Sequence, residues 1–234
     1  MAGAVVLFLS VAQLGSAQTV RPLIDENRVS GPGKAAKGRI EYYNDGLDSL
    51  FVTLEAKSFS VSETGDLSYR PLDSKIHLKL STMSFRVPPQ QSFYVFYEAS
   101  ANDIPAWFVV YATFSGFKAR TQQGFKIQIQ LPHTVYLLPK RDIQKSELTI
   151  TKADFNPTTK KVILRVQNSG PAFGRVLETE IHSGKNQVTQ EGFPVFPNAA
   201  REIEIAWPTD DVPNKLKINL QNFSLDHAIE ALAP

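Results

Sequence analysis

Four histidines, His77, His133, His182 and His227, are the side chains most ready to move a proton near neutral pH. None stands four residues from another, and no His-Glu-x-x-His run exists, so no two of them could share a helical face as metal ligands. Each sits among strand or loop residues and reads as a surface or sheet-edge histidine. The chain has no cysteine, which removes thiolate nucleophiles, disulfides and cysteine metal sites together. No Gly-x-Ser-x-Gly elbow presents a nucleophilic serine. Gly31-Pro32-Gly33 puts a proline, which has no N–H, where a phosphate cradle needs a backbone donor, and it reads as a turn. Asp210-Asp211 offers two adjacent carboxylates where calcium needs ~6–8 oxygens. Catalytic groups far apart in sequence can still meet in space. Taken together, these residues predict a protein that is not an enzyme and carries no cofactor and no metal.

Charge narrows the partners. The formal net charge is +2, and the two signs are interspersed. Nucleic-acid binding by counterion release needs clustered Lys and Arg. The pair Lys160-Lys161 reads as a solvated turn between strands. Hydrophobic residues make up 42% and charged residues 21%, the composition of a globular chain and not a disordered one. Residues 4–12 form an apolar run too short to span a bilayer, followed by small residues at Gly15 and Ala17. The expectation is a signal peptide over residues 1–17, cleaved after Ala17, although no Lys or Arg precedes the run. No later segment reaches the length of a transmembrane helix, so the exported chain is expected to be soluble, with no membrane insertion.

The elements that would position any site repeat with period two. Residues 38–44 and 49–56 alternate around an Asn-Asp-Gly cluster, a hairpin signal. Residues 92–97 and 107–114 read as further strands, the second buried on both faces. Residues 125–131 give the cleanest alternation. β-Branched and aromatic residues dominate these runs, which favours strand over helix. A proline and charges across 137–142 mark a linker. Beyond it, strands are expected at 147–150, 161–168, 174–181, 202–207 and 215–220. The tail 224–232 is the one helical candidate. The fold class is all-β, with two immunoglobulin-like β-sandwich domains at 18–139 and 140–234. Trp107 is expected in the first core and Trp207 in or near the second.

The ordered set of features resembles the PapD-like periplasmic chaperones of chaperone–usher pilus assembly, over about residues 20–225. Its carriers are Arg28-Val29 ahead of Gly31-Pro32-Gly33-Lys34, the strand-ending Asn44, and residues 85–93 with Pro88-Pro89. The 107–114 strand follows, then residues 125–139, Val166-Gln167-Asn168-Ser169-Gly170-Pro171 and residues 193–197. The resemblance implies an L- or boomerang-shaped pair of sandwiches in the periplasm. It implies a chaperone whose last strand of domain one lends Phe125, Ile127 and Ile129 to an incomplete pilin or surface subunit by β-strand addition. These three could equally point into the chaperone's own core, as alternating residues do in any sandwich strand. The resemblance further implies that Arg28 anchors a client carboxylate. The lysine that partners it in the family falls here at Thr134, which supplies no charge. An outer-membrane usher is a further implied partner. The competing expectation is an exported structural or adhesive protein of the same modules, without chaperone activity.

Overall fold

The computed structural model describes residues 23–115 and 129–232. Phe125, Ile127 and the expected cleavage site at Ala17 lie outside the described residues. The described chain is built from strands, with no α-helix among them and one short 3₁₀ turn at Lys145–Glu147.

The first half contributes β1 (Leu23–Val29), β2 (Ala36–Asn44), β3 (Leu50–Val61), β4 (Leu67–Pro71), β5 (Ile76–Leu80), β6 (Ser84–Val87), β7 (Gln91–Ala101), β8 (Ala106–Ser115) and β9 (Ile129–Pro139). One sheet runs β1-β9-β8-β3-β4, with β6 also on β3, and the facing sheet runs β2-β7-β5. Ile40, Val52, Val87, Val95, Phe108, Val110 and Val135 fill the space between them. The second half contributes β10 (Leu148–Asn156), β11 (Lys161–Asn168), β12 (Gly174–Ser183), β13 (Asn186–Val195), β14 (Ala199–Ala206), β15 (Lys215–Asn219), β16 (Ser224–Ala228) and β17 (Glu230–Ala231). Its sheets are β14-β11-β10-β17 and β13-β12-β15-β16, packed around Val162, Leu164, Ile181, Trp207, Leu216 and Ile218. Two sandwiches with separate cores are therefore present, as the fold class predicts.

The same corner is built twice. Asn44, at the end of β2, gives its Nδ2 to the carbonyls of Asp48 and Val87, and its Oδ1 accepts the N–H of Gly46. Asn168, at the end of β11, gives its Nδ2 to Ala172 and Val195 and accepts the N–H of Gly170. Each asparagine is buried and satisfies backbone groups where the chain leaves one sheet for the other, groups that would be costly to leave unpaired.

Those corners correct the expected hairpin. β2 pairs with β7 and β3 pairs with β8, so the Asn-Asp-Gly segment crosses the sandwich and does not join neighbours in one sheet. The tail is also corrected. Ser224–Ala228 lies antiparallel to β15 and Glu230–Ala231 lies parallel to β10, because two sheet edges offer hydrogen bonds that an isolated short helix would have to supply alone.

Candidate functional site

β9 supplies Tyr136 and Leu138 to the junction between the sandwiches. It runs on to Pro139, well past the alternating stretch that announced it. On one side it pairs antiparallel with β8 from Phe114↔Ile129 to Ala106↔Leu137. On the other, β1 lies parallel to it only from Leu23↔His133 to Val29↔Pro139. Among the described residues, no strand covers the outer edge of β9 at Ile129, Gln130, Leu131 and Pro132. Ile129 and Leu131 are half-buried and pack against the first core.

The inward face of β1 is polar. Asp25 Oδ2 accepts hydrogen bonds from the Tyr97 hydroxyl at 2.8 Å and from His133 Nε2 at 3.1 Å. Asn27 Nδ2 donates to the Tyr97 hydroxyl at 3.1 Å. Gly38 on β2 makes room for this, since a Cβ there would come within 2.4 Å of the Tyr97 ring. His133 is only 4% exposed, and its Nδ1 has no partner. Burial pushes its pKa below the ordinary 6.5, outweighing the pull of Asp25 in the other direction. Burial also raises Tyr97, so its phenol stays a donor. The sheet-edge histidine read from sequence is in fact a buried one, because its alternate position on β9 points between the sheets.

The outward face of β1 and β9 meets the second sandwich. Tyr136 and Leu138 of β9 form a buried cluster with Phe59, Val109 and Phe173, and Trp107 and Phe196 pack against it. Trp107 packs at a tilt on Phe196, ring centroids 4.7 Å apart, and donates its Nε1–H to the Phe59 carbonyl, so it serves the junction between the sandwiches and not the first core. Trp207 is fully buried in the second core as expected. Ion pairs flank the cluster. Arg175 Nε meets Glu26 at 2.7 Å, with the guanidinium lying over the Tyr136 and Phe173 rings. On the far side, Glu63 in the β3–β4 turn pairs with Arg165, and its carbonyl accepts from Arg201 Nη1 and the N–H of Glu202.

Arg28 stands at the mouth of a small cleft of about 90 Å³ lined also by Glu26, Asp142, Ile143, Arg175 and Asn222. Its Nη2 meets Asp142 Oδ1 at 2.8 Å, and its Nη1 donates to the carbonyls of Pro139 and Arg141. Thr134 is opposite Ile24 while Arg28 is opposite Leu138. Four register steps put them about 13 Å apart along the strands. One carboxylate cannot touch both, and the second cation lining the cleft is Arg175, from the other sandwich.

Sequence reasoning missed Asp25, Asn27, Tyr97, Asp142 and Arg175. The first two carried no signal, because residues 25–28 are polar without a break. Asp142 and Arg175 become partners only through the packing of the sandwiches. Asp210 is taken by Lys160 at 2.8 Å, and no cluster of three or more potential metal ligands occurs among the described residues.

No protein-family model and no curated protein matches the chain by sequence. Its fold matches solved structures at low identity. The class 5 fimbriae chaperone CfaA aligns at 13% identity and a TM-score of 0.53, covering 90% of this chain and 98% of that one. The YadV chaperone aligns at 9% and 0.52, covering 88% and 96%. A chain from the complex of the Salmonella enterica SafA pilin with the SafB chaperone aligns at 11% and 0.51, covering 88% and 92%. The fold is thus the two-domain, immunoglobulin-like fold of these chaperones.

Proposed function

We propose that the protein is a non-enzymatic periplasmic chaperone, exported by a signal peptide over residues 1–17. In this role it holds pilus or surface-structure subunits by β-strand addition along β9 and hands them to an outer-membrane usher. The supporting observation is the edge of β9. Its backbone groups from Ile129 to Pro132 have no described strand outside them, and this edge includes the end of the alternating stretch that holds Phe125 and Ile127. An open edge is a template for another chain, giving affinity through main-chain hydrogen bonds and specificity through alternate side chains. Arg28, at the far end of the β1–β9 ladder, then receives the client's terminal carboxylate with its planar fork. The half-burial of Ile129 and Leu131 against their own core favours a second reading, an exported structural or adhesive module.

The test compares Ile127→Glu and Arg28→Ala with the parent chain, each shown by circular dichroism to fold. Subunits that co-purify from the periplasm are quantified by mass spectrometry. Ile127→Glu should abolish recovery, because it puts a charge in the strand offered to the client. Arg28→Ala should lower it several-fold, the loss being limited by the side chain's 38% exposure. Undiminished recovery with both variants rejects the chaperone reading in favour of the structural module.

A further inference from the structure

Two ion pairs share the cleft, and they are held very differently. Glu26–Arg175 joins residues of two strands, and the guanidinium is flanked by two rings. Arg28–Asp142 is the looser pair. Asp142 lies in residues 140–144, which have no regular structure, and its side chain is 47% exposed. Apart from Arg28, its carboxylate accepts, among the described residues, a hydrogen bond from Asn222 Nδ2 at 3.3 Å. The chain on either side is fixed independently: Arg141 is paired with Glu147 at 2.5 Å, and the N–H of Gln144 donates to Glu147 at 2.8 Å. Asp142 can therefore leave Arg28 by turning its own side chain, with the backbone in place.

We infer that, given Arg28 as the carboxylate anchor proposed above, Asp142 is a resident competitor that occupies the anchor until a client's chain end displaces it. The chemistry is like for like. The Nη1 of Arg28 is committed to two carbonyls, and among the described residues the negative charge its Nη2 meets is the Asp142 carboxylate. An incoming carboxylate offers the same oxygens to the same nitrogen. Exchange of one carboxylate for another keeps the guanidinium paired throughout, whereas an empty anchor would leave it to solvent and to any passing anion. Because the resident pair is exposed and screened, it gives way at modest cost, and a client lacking a free carboxylate has nothing to exchange. Asp142 thereby sets a threshold: an extended segment that ends in a carboxylate gains from the site, and an internal segment of the same sequence does not.

The experiment uses the full chain and Asp142→Asn, which keeps the shape and one acceptor oxygen while removing the charge. Acetate is titrated at low salt while the Nε–H signals of ¹⁵N-labelled arginines are followed, with Arg28→Lys assigning the Arg28 signal. The Arg28 signal of Asp142→Asn should respond at an acetate concentration about fivefold lower than in the parent chain. An unchanged midpoint overturns the inference. A second arm uses a twelve-residue peptide of alternating valine and threonine, as free acid and as C-terminal amide. Asp142→Asn should bind the acid several-fold more tightly and the amide with unchanged affinity. If both peptides bind but Asp142→Asn treats them alike, strand addition stands and the role of Asp142 falls. If neither peptide binds while the acetate response shifts, Asp142 still competes at Arg28 and it is strand addition that fails.

Discussion

The two sandwiches share a plan and differ at their surfaces. The first leaves nine large apolar side chains exposed among the described residues, five of them aromatic: Tyr43, Phe51, Tyr69, Tyr94 and Phe96. The second leaves three, Leu177, Val212 and Leu232. They also treat their first strands oppositely. In the second, β10 pairs antiparallel with the next strand, β11, along its whole length, and the last strand, β17, lies parallel to it over two residues only. In the first, β1 is pulled across to lie parallel on the last strand, β9, and brings polar residues inward with it. The second packs around a large apolar centre, with Asn168 and Thr179 buried beside it. The first carries an edge that no described strand covers and a wet interior corner, the two features in which it departs from the second.

The comparison is tested most severely by the two tryptophans. Trp207→Ala should cost about 3–5 kcal/mol, because it empties the second core, and calorimetry should show the loss in that sandwich's transition. Trp107→Ala should cost less and should instead uncouple the two transitions, since its contacts are with Phe196 and the Phe59 carbonyl across and beside the junction. Equal losses in one shared transition would show that the sandwiches do not have separate cores.

The wet corner supplies a smaller effect with a definite sign. His133 has a folded pKa below its ordinary 6.5, because burial disfavours the charged ring. Above that value both folded and unfolded chains carry it neutral, and the full stability is present. As pH falls below it, the unfolded chain takes up a proton that the folded chain resists, so stability declines until the folded value is passed. His133→Asn should flatten this part of the stability–pH curve, measured by urea unfolding between pH 7.5 and 5. An identical slope in both proteins would place the acid sensitivity elsewhere.

Smallest of all is Glu63→Gln. Its carboxylate pairs with Arg165 on the surface, while its carbonyl, which also bridges the sandwiches, is untouched. Melting should shift barely at low salt and not at all in 0.5 M salt, so a large shift would mean that the pair holds the domains together.

Strand positions were legible where one face is buried and the other wet. Lys161–Asn168 shows this, because alternation reports burial directly, whereas the strand containing residues 107–114 was legible as a continuous apolar run with no wet face. β13 was not legible: Asn186–Val195 is an exposed edge with a glycine and a proline, so packing imposes no pattern on it. Partner choice was not legible either. The Asn-Asp-Gly segment looks like a hairpin because turn chemistry is local, while the sheet each strand joins is decided by distant contacts. For the site, Arg28 was found by its spacing to Asn44. Asp142 could not be, since nothing in residues 140–144 shows that this acid, and not a neighbouring charge, faces the guanidinium.

The β1–β9 ladder also sets an order of events in time. Arg28 and Pro139 bond across 111 residues of intervening chain, so a chain emerging N-terminus first carries β1 unpaired until nearly the whole first sandwich has followed. Closing so long a loop is slow and entropically unrewarded until it completes. β10 finds β11 across a turn of a few residues. The half that appears last can thus mature promptly, and the half that appears first waits for its own final strand.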